Sequence, residues 1–257
     1  MMKPREVAKG VYLIGGAGIT DPWDCLIYLI DMEELIIIDT GCGQSVERII
    51  YNIRKLKLNP VMISTIFLTH SHIDHIGGAA YLKKRFGAKV IAHSFDSNII
   101  EKGDREKSGA YFYGMDLEPV SVDIKIYSTQ QEFSFGEEKL LSIHTPGHTP
   151  GSISIYLERD GKKIIFAQDV HGPFMELFDS NLSDWASSMR RLLSIKPDIL
   201  CEGHFGIYQP YQVAKRYIES QLIEQGLPTI PSSKKIYRVS TYRTGLYCLI
   251  RPFFRNN

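Results

Sequence analysis

The chain has no run of about 18 consecutive apolar residues, so no membrane-crossing helix is expected. Its opening segment, MMKPREVAKGVYLIGG, has no long apolar stretch behind the basic residues, so no secretory signal is expected either. Cysteine is scarce, with four in 257 residues. Cys25, Cys42, Cys201 and Cys248 form no C-x-x-C pair, which argues against a disulfide framework and for free thiols in a reducing, cytoplasmic compartment. Cys42, in IIIDTGCG, reads as a small turn residue. Neither sign of charge prevails: 30 Lys+Arg face 29 Asp+Glu, a net of +1. That balance creates no overall field for nucleic acid or anionic lipid; a small-molecule substrate is the partner expected. There is no repeat at a solenoid period and no low-complexity segment.

The even charge total hides one uneven region. From Gly226 onward there are six cations (Lys234, Lys235, Arg238, Arg243, Arg251, Arg255) and no acid. Tyr237, Tyr242, Tyr247, Phe253 and Phe254 are interleaved with them. Residues 228–257 are expected to be an extension packed on the main domain, 1–227, or on a neighbouring subunit of a homo-oligomer, with a hairpin around Thr244-Gly245; a wall for an anionic substrate and an RNA-contacting patch are the alternatives.

Apolar content of 44% is ample for a large core. CLIYLID and ELIIID read as strands joined by a short turn. SVERIIYNIRKL reads as a helix capped by Ser45, with Val46, Ile49, Ile50, Ile53 and Leu56 on its apolar face. MISTIFL and KVIAH are strands flanking the helix AAYLKKRF. In the second half, KLLSIHT, SISIYLE, KIIFAQD and DILCEG are strands. SDWASSMRRLLSI, with Ser183 as its cap, and QPYQVAKRYIESQLIEQG are helices. Two strand-rich halves, each with helices, predict an α/β layered sandwich. Residues 103–118 break the pattern and hold Tyr111, Phe112, Tyr113 and Met115. They read either as a loop packed on its own domain or as a wall of a substrate pocket.

Three of the eight histidines fall in FLTHSHIDHIGG. His70 and His72 are two apart where the chain leaves a strand, so an extended backbone aims both to one side. Asp74 and His75 follow as the chain turns toward Gly-Gly and a helix. Imidazole and carboxylate together suit a borderline divalent metal such as zinc, and two such pairs can serve two adjacent ions. Further candidates sit just past other strand ends: His148 in TPGHTPGS, Asp169 in AQD, His204 in EGHFG and Asp39 in IIIDTG. Strand ends are where α/β folds place their sites.

With these motifs in this order, the chain resembles the metallo-β-lactamase superfamily. The resemblance implies an αββα sandwich, two β-sheets flanked by helices, with a dinuclear site in the cleft between its halves. It implies that His70, His72 and His148 hold one divalent ion and that Asp74, His75 and His204 hold the other. Asp169 would bridge them, and Asp39 would orient a ligand. Zinc is the first expectation for both ions, with iron or manganese as alternatives. Two such ions lower the pKa of a shared water, and the expected reaction is hydrolysis of an ester, thioester, lactone or phosphodiester. Asp74 would orient the attacking water or manage its proton.

Within the superfamily, Asp169 at the bridging position and the missing leader disfavour a secreted β-lactamase. His72, where flavodiiron proteins carry Glu, disfavours that branch, and the substrate-binding arm of the nucleases is not evident. The C-terminal helices of glyoxalase II and the lactonase tyrosine are not recognisable. DVHGPFMELFDS instead offers His171, Phe174 and Phe178, which join Tyr111, Phe112 and Tyr113 as pocket candidates. His93 and His144 match no ligand position and read as structural; His171 reads as loop structure or as a substrate contact. A mononuclear-iron persulfide dioxygenase is the alternative activity, followed by a nuclease or a metal-binding protein without catalysis.

Overall fold

The computed structural model describes residues 2–229. The expected hairpin and nearly all of the 228–257 extension lie outside the described residues.

The first sheet runs in chain order: β1 (Arg5–Ala8), β2 (Val11–Gly15), β3 (Ile27–Met32), β4 (Glu34–Ile38), β5 (Ile63–Phe67), β6 (Lys89–His93) and β7 (Ile124–Ile126). Its first four strands are antiparallel, and β4 to β7 are parallel. The second sheet holds β8 (Gln130–Phe135), β9 (Glu138–His144), β10 (Ile153–Arg159), β11 (Lys162–Phe166), β12 (Ile199–Cys201) and β13 (Ile207–Tyr208), in the order β13-β12-β11-β10-β9-β8. Only its β11–β12 pair is parallel.

A strand's side chains alternate between faces, so a strand apolar at every position must be covered on both. In β4, Ile36 and Ile38 join Ile155, Leu157 and Phe166 of the second sheet in the core between the sheets. Leu35 and Ile37 face the other way, onto Ile49, Ile50 and Ile53 of α1 (Val46–Lys55). The second sheet repeats this arrangement. Ile164 faces inward, while Ile165 meets Trp185, Met189 and Leu192 of α5 (Leu182–Ile195) and Ile218 of α6 (Tyr211–Glu224). The layers are therefore helix, sheet, sheet, helix: the αββα sandwich.

The expected strands and helices are present. The helix α4 (Ser94–Lys102) and the strands β1, β2, β7, β8 and β13 add to them. The expected capping roles of two serines are not met. The Ser45 hydroxyl donates to Asp24 rather than capping α1. Asn181 caps α5, its Oδ1 accepting from the backbone N–H groups of Ser183 (2.9 Å) and Asp184 (3.1 Å). Ser183 already lies inside the first turn, where its own N–H needs a partner. The aromatic segment within 103–118 contains a short 3₁₀ turn, Ala110–Tyr113.

Two features bring the loops beyond the strand ends close together. The β5 chain continues into α2 (Ile73–Ile76) and then, through Gly77 and Gly78, into α3 (Ala79–Phe86). A Cβ at Gly77 would fall on the Cys42 carbonyl, and one at Gly78 on the Thr40 carbonyl. The glycine pair thus lets two backbones touch, and Thr40 donates to the His75 carbonyl from both N (2.7 Å) and Oγ1 (2.9 Å). In the second half, Gly147 has φ +132° and lies where any Cβ would meet the Trp185 backbone. Replacing Gly147 by Ala imposes both backbone strain and a collision with α5. It is expected to cost about 3 kcal/mol, read as a lowered midpoint in denaturant unfolding.

Candidate metal centre

Strand polarity gathers the site at one edge of the sandwich. The parallel β4 and β5 end together, presenting Asp39 from one and Thr69, His70 and His72 from the other. The one-turn helix α2 then presents Asp74 and His75. From the second sheet, the loop after β9 carries His148. The parallel pair β11 and β12 ends in Asp169 and His204.

The seven residues expected as metal ligands converge, with Asp39 against His75. His72 Nδ1 lies 3.1 Å from His70 Nε2 and 2.9 Å from His148 Nε2. With an Asp169 carboxylate oxygen, these three donors form a group whose ligand atoms lie within 4.8 Å of one another. Asp74, His75 and His204 form a second group. In it, His204 Nε2 is 3.2 Å from both His75 Nε2 and Asp74 Oδ2. Asp169 Oδ2 sits 3.5 Å from His148 Nε2 and 3.3 Å from His204 Nε2, so one carboxylate faces both groups.

Buried partners set the ring orientations. His148 Nδ1 donates to the Pro173 carbonyl at 2.9 Å, which leaves Nε2 as the lone-pair nitrogen. His75 Nδ1 donates to Asp39 Oδ2 at 2.7 Å, turning its Nε2 to the second group. The same Asp39 carboxylate accepts from the Thr69 backbone N–H (2.8 Å) and hydroxyl (2.7 Å). Asp39 itself has φ +61°, a left-handed backbone costly for a non-glycine residue. Asp96, on α4 and 1% exposed, accepts from Thr149 Oγ1 (2.7 Å) and the Gly151 N–H (2.8 Å). It thereby ties down the loop that carries His148.

The residues fit divalent cations. Burial and neighbouring imidazoles hold His70 and His72 well below the usual histidine range. Burial pulls His148 down to about 4. These are neutral nitrogen donors. Around the other group the balance reverses. Burial opposes protonation of His204, but Asp169 and Asp74 outweigh it and push the group up to about 10. The two carboxylates call for positive charge between them, and Asp169 Oδ1 is buried without a hydrogen bond. Neutral imidazoles beside carboxylates form the donor set that zinc, iron and manganese share.

A cleft of 220 Å³ opens onto the cluster, lined by Asp74, His72, Asp169 and His204 at its base. Of the pocket candidates, Phe112, Tyr113, His171 and Phe178 line it, with Phe178 packed on the His72 ring at 4.1 Å. Tyr111 does not: it is 63% exposed, with the Arg105 guanidinium over its ring. Phe174 instead packs edge-on against Trp185 at 4.9 Å, as part of the α5 core. His93 and His144 lie apart from the cluster as a stacked pair, with ring centroids 3.9 Å apart.

The sequence reading missed Trp23, Phe205 and Glu202. Trp23 and Phe205 line the cleft, and Glu202 holds His171. The signal available for Glu202 was its place two residues before His204, on the same strand end. Trp23 lies in a loop without a motif.

With this geometry, the comparisons with known proteins become specific. The family model of the metallo-beta-lactamase superfamily matches residues 20–204, and the chain belongs to that superfamily. It is 31% identical over 151 residues to the hydroxyacylglutathione hydrolase GloC of Haemophilus influenzae, covering 57% of this chain and 66% of that protein. To the hydroxyacylglutathione hydrolase of Brucella ovis it is 30% identical over 135 residues, covering 52% of this chain and 44% of the relative. The chain thus spans less than two thirds of the length of these curated relatives. Among solved structures, a metallo-beta-lactamase of Cronobacter sakazakii with a HARLDQ motif superposes with a TM-score of 0.67 at 28% identity, covering 78% of this chain and 80% of that one.

Two outcomes follow. Asp39→Asn retains the shape but replaces an accepting carboxylate oxygen. Cation affinity, measured by competition with a chelator, is expected to fall about 10- to 100-fold. The second concerns His93, held at about 4 by burial and by His144 beside it. A histidine whose folded pKa is depressed stabilises the fold above its unfolded value, near 6.5. That contribution is lost as pH falls toward 4. Unfolding measured across that window is expected to show a shallower loss in His93→Gln than in the parent.

Proposed function

We propose that the protein is a dinuclear metal-dependent hydrolase acting on a small ester, thioester or lactone, with phosphodiesters as the remaining class. The observation that carries this reading is Asp169: one buried carboxylate facing two separate donor groups across the join of the two sheets. Because the Haemophilus and Brucella relatives are hydroxyacylglutathione hydrolases, a thioester is the first substrate to try.

In this reading His70, His72 and His148 hold one ion, and Asp74, His75 and His204 hold the second, with Asp169 shared. Bound there, the ions would lower the pKa of a water toward neutrality and polarise the scissile carbonyl or phosphoryl oxygen. The chain's own residues do the rest. Asp39 fixes the His75 tautomer. Asp74, at the cleft base beside His204, orients the attacking water and takes its proton. Trp23, Phe112 and Phe178 form an aromatic wall that keeps bulk water from the reacting group. A single buried donor group would favour the mononuclear persulfide dioxygenase; two groups sharing Asp169 favour the hydrolase.

The test is elemental analysis of protein purified without added metal, with thioester, lactone and phosphodiester hydrolysis assayed on the same sample. The expected result is about two ions per chain and turnover of one ester class. His72→Ala or Asp169→Ala is expected to lose both metal and activity. One iron per chain, no hydrolysis and oxygen uptake with a persulfide would overturn the reading.

A further inference from the structure

The rings of the cleft form an apolar path that leads away from the donor groups. It starts at the His72 ring, 4.1 Å from that of buried Phe178, and continues to Phe112, 6.3 Å from Phe178 between ring centroids. Phe112 is 38% exposed, so the path ends in solvent. Trp23 lines the same cleft, edge-on to Tyr113 at 5.1 Å, and is equally exposed. Phe205 is a third exposed ring in the lining. Large rings left open to water around one cleft are surface that an apolar ligand removes from solvent, with a gain that grows with the area covered.

The charge of the lining points the same way. Asp24, Asp74 and Asp169 belong to it, and among the described residues no Lys or Arg does. The two bases that precede Phe112 in its own segment are turned to acids. Arg105 Nε lies 3.2 Å from Asp116, and Lys107 Nζ lies 2.6 Å from Asp179. A carboxylate held out along this wall, away from the metal-binding floor, gives up water and meets rings instead of a donor.

We infer that the substrate is an uncharged ester or thioester whose apolar acyl arm lies on Phe178, Phe112 and Trp23, and that esters carrying a carboxylate on either arm are disfavoured. The word acyl rests on the hydrolase reading; the apolar binding does not. Discrimination of this kind grows with each methylene the rings cover, and an anionic arm forfeits it through uncompensated desolvation.

The first arm of the test measures binding without turnover. The chain has two tryptophans, Trp23 at the cleft and Trp185 fully buried, so a change in intrinsic fluorescence of the metal-loaded protein can be assigned to the cleft with Trp23→Phe. Three stable thioethers are titrated: S-hexyl-N-acetylcysteamine, S-methyl-N-acetylcysteamine and S-hexylglutathione. The first is expected to bind about tenfold or more tightly than either of the others, with a response that disappears in Trp23→Phe. Phe112→Ala is expected to weaken it about fivefold. Phe112→Leu, which keeps an apolar side chain, is expected to restore most of the affinity. Equal affinity for the hexyl and methyl compounds, binding of the glutathione compound as tight as the neutral one, or a response that survives Trp23→Phe would overturn the inference.

The second arm gives the same protein the acetyl and hexanoyl thioesters of N-acetylcysteamine and the hexanoyl thioester of glutathione. On N-acetylcysteamine, kcat/KM is expected to be about tenfold or more higher for hexanoyl than for acetyl, and Phe112→Ala is expected to compress that ratio. The glutathione ester is expected to be the poorer of the two hexanoyl substrates. A ratio near one, or a preference for the glutathione ester, would overturn the inference. If the thioethers bind as expected but no ester turns over, the hydrolase reading fails and the apolar site stands.

Discussion

The Asp39 carboxylate is the constraint on which the site depends. It terminates β4 in a left-handed conformation and grips Thr69 twice and His75 once. Thr69 begins the turn that aims His70 and His72, so one carboxylate sets the direction of three imidazoles. The backbone supports this lock through Thr40 on the His75 carbonyl and through the glycine pair that lets α2 reach the Thr40–Gly43 loop. A side chain in either glycine's place would hold the loops apart, and Asp39 could no longer reach His75.

The second sheet is held by a separate set of contacts. Asp96 reaches across from α4 to the His148 loop, and α5 closes on Gly147 from the other side. The His148 tautomer is then fixed by Pro173, in the segment that follows Asp169 and His171. The directions of His75 and His148 are therefore set by buried neighbours, as rigid metal sites require.

Much of this was legible in the sequence. The continuous apolar run of β4 required burial on both faces, and the two-residue spacing of His70 and His72 required a common direction. Residues placed by covalent neighbours at strand ends were readable for that reason. What escaped reading depends on tertiary partners. Ser45 has the chemistry of a cap, but Asp24 claims its hydroxyl. The helix α4, SFDSNIIEK, shows little apolar periodicity because its functional residue is the polar Asp96, buried against a distant loop. Tyr111 and Phe112 are adjacent and chemically alike, yet the 3₁₀ turn sends only the second to the cleft. Nothing local could separate them.

The position of Asp169 between the two donor groups has a consequence for how the molecule coheres. The first group joins two histidines of one sheet to one histidine of the other, and the second group is divided in the same way. A cation seated there is thus a rivet through the join of the sandwich, and its binding free energy is also cohesion between the two halves of the chain. The coupling is reciprocal: any motion that parts the sheets at this edge releases the ions, and any ion that is captured resists the parting. The candidate metal centre and the seam of the protein are the same place.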